Sequence, residues 1–414
     1  MLEQAAATGA ILDGLRVVEA SAFVAAPLGG MTLGQLGADV IRIDPPGGGL
    51  DIRRWPVTSD NTSLFWCGLN KSKRSVVIDL SRPEGRELAM ALICAPGKDA
   101  GLLLTNFPAR GFLAYESLTQ RRHDLIQLTI TGDRQGGSAV DYTINPRMGL
   151  PFLTGPADIV QVVNHVLPAW DLITGNMAVA ALLAAERHRS RTGQGQHVHL
   201  ALEDAALAVM GHLGFIAQAQ LGQLRERIGN DLYGAFGRDF MTQDGVRIMV
   251  VGLTPKQWQG LCQATGLQDE MLQLAQRQQL NFSREGDRFM AREAIADLLG
   301  AWFSQRELPV IATAFKAHGV CWSIYQTVSQ LVSQDSACST ENPMFSQVEQ
   351  PGVGEYLTPG SPLSFSGFKR ASPRPAPLLG QHTEEVMLEL LGLSSAQFGH
   401  LMDQGIVESA AHAK

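Results

Sequence analysis

The 414-residue chain is short of several things. It has only five cysteines, Cys67, Cys94, Cys262, Cys321 and Cys338, scattered and with no CxxC pair. That excludes a disulfide framework and a zinc-ribbon type of site, and it fits a reduced, cytoplasmic chain. There is no long basic run and the net charge is −7, which argues against nucleic-acid binding. No run of about 18 apolar residues occurs, so no membrane span is expected. The start, "MLEQAAATGAILDGL", lacks the basic and apolar regions of a signal peptide. GxSxG, HExxH and GxxxxGK[ST] are all missing, so three common enzyme classes lose their usual signatures. What is present is an ordinary globular composition: 45% hydrophobic, 18% charged and 43 glycines, enough for a substantial core and for two domains.

Strand and helix patterns alternate through the first half. "LRVVEAS", "DVIRIDPP", "RSVVIDL", "AGLLLTNF" and "LIQLTIT" read as buried strands, with "PLGGMTLGQLGA" and "PEGRELAMALICA" as helices between them. The pattern predicts an α/β fold with a parallel sheet covered on both faces. A long, nearly apolar helix, "LITGNMAVAALLAAERHRS", is expected to be buried, and "HVHLAL" follows as a further strand. "GAFGRDFMTQDGVRIMVVGL" reads as two strands around a turn, opening a smaller α+β domain. The expected boundaries are 1–225 for the first part of the large domain, 226–335 for the small one, and 336–414 for a segment returning to the large one.

Asp171 is the residue that stands out. It lies between Trp170 and Leu172, at the head of an apolar helix. On the residues alone it reads first as a helix N-cap. A nucleophile is the second reading, since first-turn N–H groups favour a carboxylate and can stabilise an oxyanion beside it. His165, six residues upstream, is within range of a His/Asp pair but reads more simply as structural. "PPGGGL" reads as a turn. "NKSKRS" brings Lys71, Lys73 and Arg74 together, by default on a solvated loop. Arg110 follows the fourth strand, where open α/β sheets receive their ligands, and is the better phosphate candidate.

The segments "LDGLRVVEASAFVAAPLGGMTLGQLGADVIRID", "NKSKRSVVIDLSRPEGRELA", "TNF", "AALLAAERHRSRTGQGQHVHLALEDAAL" and "APLLGQHTEEVMLELLGLS" together resemble the family III CoA-transferases (CaiB/BaiF type), in order and over nearly the whole chain. The resemblance implies a Rossmann-like large domain built from both chain ends, a small domain from the middle, and an interlocked homodimer. It implies an acyl-CoA substrate, with coenzyme A entering as part of that substrate and with no metal or redox cofactor, no nucleic acid and no membrane.

The family's nucleophilic aspartate falls on Asp171. Its thioester-facing loop falls on Val24 and Ala25, and its adenine-side loop on Asn106 and Phe107. Arg110, Lys73 and Arg74, together with Arg42 and Arg82, are then candidates for the CoA phosphates, and Tyr142 for a further CoA-side contact. Longer runs, among them "RRWPVT", "VVNHVLPAWDLITG", "YGAFGRDF" and "STENPMF", narrow the resemblance to an enzyme that moves CoA between the two carboxyl groups of one C5 diacid. Tyr142, Arg147, His165 and Arg238 are polar candidates for gripping that diacid. Transfer between two different acids stays open. So does an α-methylacyl-CoA racemase, whose catalytic histidine would fall near Tyr142.

Overall fold

The computed structural model describes residues 9–410. Residues 1–8, part of the start read above as free of a targeting signal, lie outside the described residues. The chain forms two compact units: residues 1–148, 166–217 and 336–414 make the first, and 149–165 with 218–335 make the second. Residues 149–165 thus cluster with the middle of the chain, although they fall inside the stretch 1–225 assigned by sequence to the large domain.

The first unit is built on a seven-stranded sheet. Six strands are parallel: β1 (Arg16–Ala20), β2 (Asp39–Asp44), β3 (Arg74–Ile78), β4 (Leu102–Thr105), β5 (Ile126–Thr131) and β6 (Gln196–Ala201). Val407–Glu408 adds a short antiparallel edge beside β3, so both chain ends contribute to the sheet. The order runs Val407–Glu408, β3, β2, β1, β4, β5, β6. Its centre is buried on both faces, with Val17, Val18, Ile41, Ile43, Val76, Leu102, Leu103, Leu104, Ile126 and Leu128 at most 2% exposed. The chain reverses its direction of travel across the sheet between β1 and β4. The strand-end crevice there is where open α/β sheets bind ligands.

The second unit carries an antiparallel sheet of β7 (Phe236–Met241), β8 (Arg247–Gly252) and β9 (Cys321–Ile324). Helices pack on it around Phe236, Trp258, Leu299, Phe303 and Phe315. A two-stranded ribbon, Phe345–Gln350 with Gly354–Pro359, belongs to the first unit.

The apolar helix after Asp171 differs from expectation. It runs Ala169–Thr192 and buries one face only, through Trp170, Thr174, Gly175, Ala178, Val179, Leu182 and Ala185. Met177 on another face is 41% exposed. Runs of alanine raise the apolar count without forcing burial all round. Small residues instead let this long helix lie close against the first helix, Ala25–Gln35: a Cβ added at Gly175 would come within 2.6 Å of the Ala25 carbonyl oxygen. The side-chain-free surface at Gly175 is what permits that approach.

Candidate active site

The site begins where β1 ends. Asn106, just past β4, clamps the backbone of Ala22 from both sides: Ala22 N–H donates to Asn106 Oδ1 (2.9 Å), and Asn106 Nδ2 donates to the Ala22 carbonyl (2.8 Å). Thr105 Oγ1 donates to the Ala20 carbonyl and accepts from the Phe107 N–H. These bonds staple the ends of β1 and β4 together at the switch point. They hold Phe23 with φ of +66°, a left-handed conformation that a bulky side chain adopts only when its surroundings impose it. The turn at Phe23 starts the first helix at once, with Val24 as N-cap, no capping side chain and no acid in its first turn. Val24 and Ala25 are buried. Their stretch of backbone therefore presents a helix start whose N–H groups no side chain occupies among the described residues.

Asp171 comes to this place through the helix crossing. Residues i and i+4 share a helix face, so Asp171 lies one turn above Gly175, which rests on the Ala25 carbonyl. Asp171 is not the N-cap. Pro168 is, and Asp171 sits inside the first turn. The cap comes from 30 residues upstream: Asp141 Oδ2 accepts from the N–H of Trp170 (2.7 Å) and of Asp171 (3.3 Å). Two N–H groups of that helix start are thereby taken by Asp141.

Asp141 is 1% exposed, and its second oxygen, Oδ1, is buried with no hydrogen-bond partner among the described residues. Burial pushes the Asp171 carboxyl up to about 7, the neighbouring Asp141 charge pushes the same way, and the Arg54 guanidinium opposes both. A carboxylate held this near neutrality is a stronger nucleophile than an exposed one and leaves more readily than an alkoxide. For a carboxylate acting as a nucleophile, the reactive form is the ionised one. Hence kcat/KM is expected to rise with pH up to about 7 and level off above it. Asp141→Asn keeps an acceptor for the helix N–H groups but removes the charge, and should move that limb to lower pH. Rate profiles from pH 5 to 9 for both proteins check this, and an unmoved limb would remove Asp141 from the electrostatics of Asp171.

Other expected residues are placed differently. "NKSKRS" is no solvated loop: Asn70, Lys71, Ser72 and Lys73 are all buried. Lys73 Nζ bonds Glu19, the Pro27 carbonyl and Asn70, within a buried cluster where Arg42 meets Glu19, Asp44 and Asp51. Lys73 thus neutralises buried Glu19, where it was expected to meet CoA phosphates. Arg74 opens β3, at the amino edge of the sheet, and is shared among Asp39, Glu385 and Glu389. Both its position and its partners take it away from the β1–β4 crevice.

Asn106 acts on the protein backbone, with both ends of its amide engaged. Phe107 packs against the core beneath the sheet's end. Arg110 stands exposed on the loop after β4, with no ion pair among the described residues. Tyr142 directly follows Asp141 and is 53% exposed. Arg147 is paired with Glu203, and Arg238 of the second unit with Asp231 and Glu293. His165 belongs to the second unit. Sequence reading passed over Asp141 and Arg54. "DIRRWP" signals a charged turn, but nothing local in either stretch points at Asp171.

The CoA-transferase family III model matches residues 12–383, and the chain belongs to that family. It is 60% identical over 399 residues to the 2-methylfumaryl-CoA isomerase of Chloroflexus aurantiacus, covering 96% of this chain and 98% of the relative. It is 29% identical to the succinyl-CoA:mesaconate CoA-transferase of Haloarcula hispanica, over 91% of this chain and 96% of that one. A CaiB/BaiF family protein from Brucella suis has the same fold, with TM-score 0.73, 27% identity, and coverage of 92% of this chain and 100% of that chain. Among the described residues no helix is long and apolar enough to cross a membrane.

Proposed function

We propose that this chain converts 2-methylfumaryl-CoA by moving CoA from the C1 to the C4 carboxyl group of the same diacid. The observation that carries the reading is the 60% identity to a 2-methylfumaryl-CoA isomerase along nearly the full length of both chains. The reading is supported by the place of Asp171 one helical turn from Gly175, where an added Cβ would come within 2.6 Å of the Ala25 carbonyl oxygen.

In this reading an Asp171 oxygen attacks the C1 thioester carbonyl. The C–S bond breaks, CoA leaves as thiolate, and an aspartyl–C1 anhydride forms. The thiolate then attacks the aspartyl carbonyl of the anhydride. Its C–O bond to the aspartyl carbon breaks, releasing the diacid as a dianion and leaving CoA on Asp171 as a thioester. The C4 carboxylate attacks that thioester and expels the thiolate again. The thiolate attacks C4 and frees Asp171. No proton and no electron enters or leaves over the cycle, so CoA arriving with the substrate is sufficient and no further cofactor is called for. Holding both fragments in place makes each attack effectively intramolecular, with effective concentrations of about 10⁵ M or more.

Arg110, exposed on the loop after β4, is the candidate for a CoA phosphate in this reading. Tyr142 stays with this reading as a CoA-side contact, and Val24 and Ala25 as backbone donors to the reacting carbonyl. A homodimer and a cytoplasmic setting belong to the same reading. Exposed Met177, Leu207 and Leu213 offer apolar surface to a second copy, and the five cysteines are free.

The test is to give the pure protein 2-methylfumaryl-CoA with no added acid and to follow the C1 and C4 thioesters by chromatography. Interconversion without acceptor is expected, with little incorporation of labelled free diacid. Turnover only after a second acid is supplied would establish an intermolecular transferase instead.

A further inference from the structure

Arg54, whose charge opposes the rise of the Asp171 carboxyl, is a half-buried residue of the segment that follows β2. Its backbone is fixed between two anchors. Three residues before it, Asp51 is salt-bridged to buried Arg42 (2.9 Å), and the Arg54 carbonyl accepts a hydrogen bond from Ser63 Oγ. Its guanidinium lies over two rings, 5.0 Å from the centre of Phe65 and 5.6 Å from that of Phe23. Phe23 is the left-handed residue that starts the site loop, so the cation stands at the mouth of the Val24–Ala25 turn. The aromatic faces hold it in place without neutralising it. Arg42, Arg74, Arg122 and Arg189 in the same unit are engaged by carboxylates. Among the described residues the Arg54 guanidinium has neither an ion pair nor a hydrogen bond. It is close enough to Asp171 to act on its charge and too far to pair with it.

A fixed cation separated from a nucleophile by a gap matches a ligand with an acyl carbon at one end and a carboxylate at the other. Resting on the reading given above, we propose that Arg54 is the specificity-determining residue of this site, binding the carboxylate of a dicarboxylic acyl group that is not joined to CoA or Asp171. The planar fork of arginine suits a carboxylate in two-point contact. The charge balance changes usefully through the cycle. Once Asp171 is a thioester it is neutral, and the positive field of Arg54 faces the released dianion alone. The diacid is then held most strongly at the stage when it has no covalent tie. Arg54 exchanges one carboxylate for the other as C4 replaces C1 at Asp171.

The experiment compares labelling of Asp171 by 2-methylfumaryl-CoA and by crotonyl-CoA, which has no second carboxylate. The aspartyl thioester is trapped with hydroxylamine and the peptide hydroxamate is quantified by mass spectrometry at pH 9. The readout is the ratio of the two labelling efficiencies. Wild type should prefer the diacid, and Arg54→Gln should cut the ratio by about 10- to 100-fold, as for loss of a hydrogen bond to a charged group. Arg54→Lys should restore part of it, which a merely misfolded variant would not do. A ratio unchanged in Arg54→Gln, with both substrates falling together, would overturn the proposal and leave Arg54 acting on Asp171 alone. The ratio tests Arg54 whether or not the wild type completes isomerisation. A collapsed ratio in a protein that fails to form the C4 thioester would keep Arg54 and discard the isomerase reading.

Discussion

Asp171→Asn is expected to lower turnover of 2-methylfumaryl-CoA by about 10⁴-fold or more, because in the proposed mechanism it deletes the group that forms every covalent intermediate. The same substitution is expected to stabilise the fold. In the folded protein the carboxyl is pushed up to about 7, chiefly by burial and then by Asp141, whereas in the unfolded chain it titrates in the ordinary range. The unfolded state therefore sheds its proton first as pH rises. Wild-type stability falls between about pH 4 and pH 7 and is level above. Asparagine carries no such cost. Its advantage should grow across that window and reach on the order of 2 kcal/mol at pH 8, after allowing for partial solvation of Asp171. Thermal unfolding at pH 5 and pH 8 reads the difference, and steady-state assay reads the loss. Retained turnover would mean that another group is the nucleophile. A stability gain independent of pH would mean that the carboxyl is not held unfavourably ionised.

The second large effect lies beneath the site. Arg42 is 1% exposed and reaches Glu19 (3.3 Å), Asp44 (3.0 Å) and Asp51 (2.9 Å), and it also donates to the Ser21 carbonyl (3.1 Å). Glu19 and Arg42 are register partners on β1 and β2, so the sheet itself sets them side by side. Gly30 in the first helix makes the room: a Cβ there would lie 1.7 Å from Glu19 Oε2. With Lys73, two cations face three carboxylates, and burial pushes the Asp44 carboxyl upward despite Arg42.

Arg42→Met removes the hub and leaves those carboxylates buried with Lys73 alone. It is expected to destabilise the protein by about 3–5 kcal/mol, a large part of the total for a domain. The exposed pair Arg121–Glu87 is the control, and Arg121→Ala should cost less than about 1 kcal/mol. Denaturant unfolding of the two variants side by side decides it. If Arg42→Met unfolds at the denaturant concentration of wild type, the cluster contributes nothing to stability. Because the Ser21 carbonyl adjoins the clamped Ala22, the surviving fraction should also lose activity.

Much of this molecule is local in origin. Apolar strand segments separated by helix-length stretches dictate a buried parallel sheet, since such strands have no solvent face to offer. Gly-rich "PPGGGL" can do little but turn, and Gly48 N–H does bond back to the Pro45 carbonyl there. Asp171 is legible as a charge out of place at the head of an apolar helix, and the family resemblance of five segments in register is what nominates it as the nucleophile.

The remainder depends on contacts that no local pattern records. "NKSKRS" has the composition of a wet loop, yet Lys73 is enclosed because Glu19 on β1 and the Pro27 carbonyl of the first helix supply its distant partners. Arg74 begins its strand, so the parallel direction of the sheet carries it to the edge opposite the crevice. Asp171 has the sequence position of a cap but is not one, because Asp141 reaches in from another helix to accept the N–H groups. Arg54 looks like one of two adjacent arginines in an exposed turn until Phe23 and Phe65 are seen to hold its guanidinium where its charge reaches Asp171. In each case the deciding energy is electrostatic and falls off with distance in space. Spacing along the chain carries the periodic burial that builds the sheet, but it carries no record of which distant charge will end up next to which.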